Sequence, residues 1–131
     1  MDIERVLGVR ARQPIRAEFG FDVTSPLVVS TELAIDGGAC VHWRIGRDLL
    51  WQGLRTRSGI GDVQIRPSHP GNHTTARLQL VSDGMAALFE LPIPPLAQWL
   101  EHTYELVPAG EEGATLDWDA AADLLTGPLA P

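Results

Sequence analysis

The sequence predicts an α+β domain: about seven antiparallel strands, a short helix after the fourth, and two helices at the carboxyl-terminal end. Three patterns predict it. Apolar residues recur at every second place through most of residues 3 to 91, the period of a strand with one buried face. After Pro94-Pro95 the spacing changes to that of a helix. Between the two regimes, Arg47 to Leu54 puts Leu50 and Leu54 four apart on one helical face, in a stretch bounded by glycines. The 131 residues, 44% of them hydrophobic, fit one domain over 1–131 that can bury well over half of its unfolded surface.

In order along the chain, Ile3 to Val9 and Ile15 to Val23 alternate as two strands joined at Gln13-Pro14, with Arg16, Glu18 and Asp22 on the outer parity of the second. Their outer faces can pair Arg10 or Arg12 with Glu18, a contact of about 0.2 to 1 kcal/mol. After Thr24-Ser25-Pro26, Leu27 to Ile35 is a third strand, and Asp36-Gly37-Gly38 supplies positive-φ turn chemistry before the fourth. That fourth strand points Val41, Trp43 and Ile45 inward and His42 and Arg44 outward, until Gly46 releases the chain into the short helix. Gly53 on that helix allows a close backbone approach. Beyond Ser58-Gly59-Ile60-Gly61, Asp62 to Arg66 is a fifth strand whose pairing Pro67 ends, followed by a Pro70-Gly71-Asn72 loop.

Ala76, Leu78 and Leu80 then alternate against Arg77 and Gln79, and Asp83-Gly84 turns the chain into Met85, Ala87, Phe89 and Leu91, giving strands six and seven. Leu96, Trp99, Leu100, Thr103 and Val107 share the inner face of a long helix that leaves Gln98, Glu101, His102 and Glu105 outside. Past the Gly110 to Gly113 loop, Asp117 is placed as an N-cap, with Trp118, Ala121, Ala122 and Leu125 as a second apolar stripe that Gly127-Pro128 stops.

Composition narrows the function classes. No apolar run nears the roughly 18 residues of a membrane span, and acids stand at the amino terminus where a secretory signal carries bases, so a cytoplasmic protein is expected. The lone Cys40 excludes an intramolecular disulfide and is read as a small packed hydrophobe beside a turn. All ten basic residues are arginines at or before Arg77, whereas nine of the seventeen acids follow it. A net charge of −7 opposes phosphate-backbone binding, which draws on cations displacing counterions. The acidic end is read as a solvated helical surface.

Chemical motifs are sparse. There is no G-x-S-x-G elbow for a hydrolase. His69 and His73, with His42, have metal-ligand chemistry, but the nearer two flank a Pro-Gly-Asn turn, and H-x-x-x-H shares a face only in a helix. Asp117, Asp119 and Asp123 lack the glycine and distal glutamate of a calcium loop. Gly59-Ile60-Gly61 lacks the third glycine of a dinucleotide fingerprint, and a strand follows it. No catalytic residue, cofactor site or metal site is therefore assigned. The arginines at 44, 47, 55, 57 and 66 are dense enough to border a groove, yet Trp43 and Trp51 alone are too few to stack bases. Arg47 with Asp48 is read as a helix-start charge pair, and Arg55 and Arg57 as a solvated turn. Trp51 lies about 100° around the helix from Leu50 and is placed at the core rim, where Leu49, Trp51 and Arg55 form a candidate partner-binding patch.

The region from Val41 to Ser68 resembles the signature of the actinobacterial SsgA-like proteins, small factors of sporulation-specific cell division. The resemblance is sharpest at Trp43 to Ile45, Arg47-Asp48-Leu49-Leu50, Gly53-Leu54, Gly59 with Gly61-Asp62-Val63, and Pro67-Ser68. Ser25-Pro26-Leu27, Ser58 and Trp51 depart from the expected pattern, Trp51 standing where a small residue is expected. The resemblance implies a non-enzymatic septation factor that acts at the division septum through protein contacts and recruits or localises the tubulin-like division protein FtsZ. It also implies a whirly-like fold of two antiparallel sheets assembled into a homotrimer. A single-strand nucleic-acid binder is the alternative that whirly-like fold analogy offers.

Overall fold

The computed structural model describes residues 1–35, 39–69, 71 and 73–111. The strands are β1 (Asp2–Val6), β2 (Arg12–Gly20), β3 (Val28–Ile35), β4 (Ala39–Gly46), β5 (Val63–Pro67), β6 (Thr75–Ser82) and β7 (Met85–Pro92), with helix α1 (Arg47–Gly53) after β4 and helix α2 (Ile93–Leu106) after β7. The second carboxyl-terminal helix expected from Asp117 onward lies outside the described residues.

The expected two sheets are one. All seven strands are hydrogen-bonded in the order β4-β3-β2-β1-β7-β6-β5, every neighbour antiparallel. The joint is β1, which pairs β2 along one edge and β7 along the other, with Glu4 opposite Glu90 and Val6 opposite Leu88. Alternation within a strand cannot announce a pairing more than eighty residues away, so two apparent sheets fuse into one curled sheet. Helix α1 touches both end strands, β4 and β5, and so spans the gap that the curl leaves between them.

The first hairpin turns earlier than expected. Leu7 N–H donates to Ala11 O at 2.9 Å, Val9 is 97% exposed, and Gln13-Pro14 lies inside β2 instead of joining two strands. Proline is tolerated there because the β2–β3 register begins only at Arg16, leaving Pro14 with one paired flank, opposite Glu4. The shift also changes the ion pairs: Arg12 meets Glu90 across the sheet, and Arg16 meets Glu18 at 3.2 Å. The β6–β7 hairpin follows its sequence signal, with Asp83 at φ 52° and Gly84 at φ 75°, the two left-handed residues of a tight primed turn.

Inner residues from every strand form one core with the helices. Ile3, Ile15, Val29, Leu33, Ile45, Ile65, Leu78, Leu80, Phe89 and Leu91 meet Leu50 and Leu54 from the α1 region and Leu96 and Leu100 from α2. Each such apolar side chain contributes about 1.5–3 kcal/mol by leaving water. Proline is harmless at the start of α2, where the first N–H groups have no helical acceptor. Trp99 fixes the helix over β2 by packing on Phe19 at 5.9 Å between ring centroids. Gln98, Glu101, His102 and Glu105 face solvent, as their spacing requires. Cys40, expected to pack, is instead exposed on edge strand β4. There a hydrogen bond with Glu32, reinforced by slight desolvation and by the Glu32 charge, raises the thiol above its ordinary pKa.

Candidate partner-binding site

The site grows from the way α1 is clamped. A Cβ on Gly53 would lie 2.0 Å from Cγ2 of Ile65, so α1 rests on β5 at a distance only glycine permits. Gly59, at φ 90°, turns the following loop, and a Cβ there would strike the Val63 carbonyl at 2.3 Å. Ser58 and Ile65 exchange backbone hydrogen bonds of 2.8 and 2.9 Å, which ties that loop to β5. Leu50 and Leu54 are then committed to the core, and Leu49 tucks against Gly59.

Arg47 overturns the helix-start pair expected of it. Its residue is fully buried, and Nη1 donates to the carbonyls of Thr103 at 3.1 Å and Val107 at 2.8 Å. These acceptors lie at the carboxyl-terminal end of α2, where unpaired carbonyls and the helix dipole favour a cation. The guanidinium carbon also stands 4.0 Å from the Tyr104 ring centroid and 5.1 Å from that of Phe21. Cation–π attraction of this desolvated kind is worth about 2 kcal/mol. Asp48 does not pair with its neighbour; its Oδ1 accepts the hydroxyl of Tyr104. Two adjacent residues at the start of α1 thus hold the last turn of α2, fifty-six positions away. Arginine's type gave no sign of burial, and Tyr104 sits one place off the apolar stripe of α2, so this lock had no sequence signal beyond the family motif.

The lock leaves a shallow groove between the helices. Trp51 and Tyr104 meet edge to face at 5.7 Å and 64°, each half-buried, and Arg55 lies over the Trp51 ring at 4.5 Å. Asp48, Gln52, Glu101 and Glu105 edge the groove, and Pro108 continues its floor. The structure therefore brings Trp51 and Arg55 together and sends Leu49 to the other flank of α1. Chemically, the groove offers apolar area, π faces and exposed carboxylates, the means of recognising a partner. Among the described residues no three His, Cys, Asp or Glu side chains gather as a metal site, and no helix is long and apolar enough to cross a membrane.

Of the other motif residues, Trp43 lies half-buried against the core, and Val63 and Pro67 begin and end β5. Asp62 accepts the Val81 N–H at 2.9 Å through its carbonyl, while Gly61 turns at φ 82°. The motif thus serves to seat α1 on the sheet edge and against α2.

A family model described as Streptomyces sporulation and cell division protein, SsgA, matches residues 15–112. The chain belongs to the SsgA family. Among SsgA-family relatives, the sporulation-specific cell division protein SsgB of Thermobifida fusca (strain YX) is 33% identical over 118 residues, covering 90% of this chain and 86% of its own. The SsgB of Salinispora tropica is 36% identical over 114 residues, covering 86% and 80%. The crystal structure of the SsgA-like sporulation-specific cell division protein from Thermobifida fusca YX-ER1 superposes with a TM-score of 0.81 at 32% identity, over 92% of this chain and 88% of that one. A Streptomyces coelicolor SsgB structure gives the same TM-score of 0.81 at 29% identity, over 87% and 90%.

Proposed function

We propose that this SsgA-family chain is a non-enzymatic factor of sporulation septation that works through protein contacts, with the Trp51–Tyr104 groove as a contact face. The observation that carries the reading is the groove itself: Trp51 and Tyr104 keep half-exposed faces while a buried arginine and a carboxylate from the family motif hold them in place. Pre-organised aromatic anchors are what a protein interface uses for most of its affinity. Membership of a family described by sporulation and cell division supports the process. The partner follows from the family resemblance: FtsZ, or a paralogue of the same family, at the division septum of the cytoplasm. A homotrimer is the assembly proposed with it. Nucleic acid is disfavoured by the net charge of −7.

The test is W51A together with R55A, two residues whose loss leaves the Arg47 lock in place. Binding to purified FtsZ and to co-expressed family paralogues is read by biolayer interferometry, and the oligomer by analytical ultracentrifugation. W51A is expected to weaken binding by about 2 kcal/mol or more, roughly thirtyfold. Unchanged affinity in a folded W51A/R55A variant overturns the groove as the contact face. Failure of the wild-type protein to bind any division protein overturns the recruitment reading.

A further inference from the structure

The arginines expected to border one groove divide instead among several places, and two of them meet a third on the far side of the sheet. Arg66 and Arg77 alternate with the core residues Ile65, Ala76 and Leu78, so they face away from the helices. The β5–β6 register sets Arg66 directly opposite Arg77. Like charges so opposed destabilise a sheet. Arg57 comes in from the loop after α1, where its Nη2 donates to Oε1 of Gln64 at 3.4 Å while Gln64 Nε2 donates to the Gly61 carbonyl at 3.2 Å. Arg57, Arg66 and Arg77 therefore line one cleft of about 360 Å³ with Gln64 and Gln79, and among the described residues no carboxylate lies in its wall.

The nearest compensation is spoken for. Glu90 stands opposite Arg77 on β7, but its carboxylate is engaged by Arg12. Nε of Arg77 is buried and has no hydrogen-bond partner among the described residues. In a chain of net charge −7, a cavity lined by three arginines and, among the described residues, by no carboxylate is unexpected as solvated decoration. Guanidinium forks match the oxygen spacing of phosphate, which accepts several charge-assisted hydrogen bonds at once.

We propose that the Arg57–Arg66–Arg77 cleft is a binding site for a phosphate-type oxyanion. Arg66 and Arg77 close on its oxygens from neighbouring strands, Gln64 holds Arg57 above them, and the bound charge removes the repulsion across the β5–β6 ladder. The site is independent of the groove between the helices, so either can fail alone.

Isothermal titration of the full chain with inorganic pyrophosphate at fixed ionic strength tests the proposal, with adenosine diphosphate titrated in parallel. Saturable binding is expected, weakened about tenfold or more by R66Q and by R77Q, and unchanged by R44Q, which removes an exposed arginine outside the cleft. R57Q, on the loop, supplies a third variant should a strand substitution impair folding, which urea unfolding reports. Equal affinities for the two ligands assign recognition to the phosphates alone; tighter adenosine diphosphate adds a contact to the nucleoside. No binding into the millimolar range overturns the proposal, as does an equal loss in R44Q and R66Q, the result that diffuse charge screening produces.

Discussion

Arg47 and Arg77 carry the same guanidinium and meet opposite treatment. Arg47 is buried among aromatic rings and the carbonyls that end α2, so its charge works as an internal strut. Arg77 faces another arginine across a strand pair and keeps a donor with no acceptor among the described residues. The contrast teaches that local density of positive charge says little here. What decides an arginine's role is whether tertiary structure brings it acceptors, and α2 brings them to Arg47 alone of these two.

The strongest way to break that comparison is R47A. It leaves the Thr103 and Val107 carbonyls without their cation and opens space beneath Tyr104, and a loss of about 3 kcal/mol or more is expected in urea unfolding with unchanged m. A loss under about 1 kcal/mol means the strut carries no load. Next comes G53A, which sets a methyl into the side chain of Ile65, where the helix already lies against β5. Overpacking there is expected to cost about 1–3 kcal/mol, read from the same midpoint; an unmoved midpoint shows that α1 shifts freely on β5. The smallest effect belongs to R66Q in phosphate-free buffer, where relief of like-charge repulsion raises stability by about 0.2–1 kcal/mol. A fall of similar size shows that Arg66 has partners, and the contrast with Arg47 disappears.

Much of the fold was legible because it is local. The seven strands, the Asp83-Gly84 hairpin, the Arg47–Gly53 helix and the inner face of α2 each follow from spacing or from turn residues that demand positive φ. The misplaced elements share a cause. Pro14 suggested a joint because proline usually ends a strand, and only the later start of the β3 register makes it tolerable inside β2. Cys40 looked like a core residue by type, yet its strand lies at the sheet edge. Of the candidate patch, Trp51 and Arg55 meet while Leu49 turns to the other flank of α1, because two positions along a helix are about 200° apart.

By itself the sequence determined the α+β class, the order of the described elements, the family, and the lack of a recognisable catalytic motif, since all of these are written in residue type and short spacing. Tertiary structure alone decided that β1 welds the strands into one sheet, that Arg47 reaches the end of α2, and that Arg57, Arg66 and Arg77 converge. Those outcomes depend on pairings between residues far apart in the chain. Periodicity tells which face of an element is buried, but not which other element will bury it.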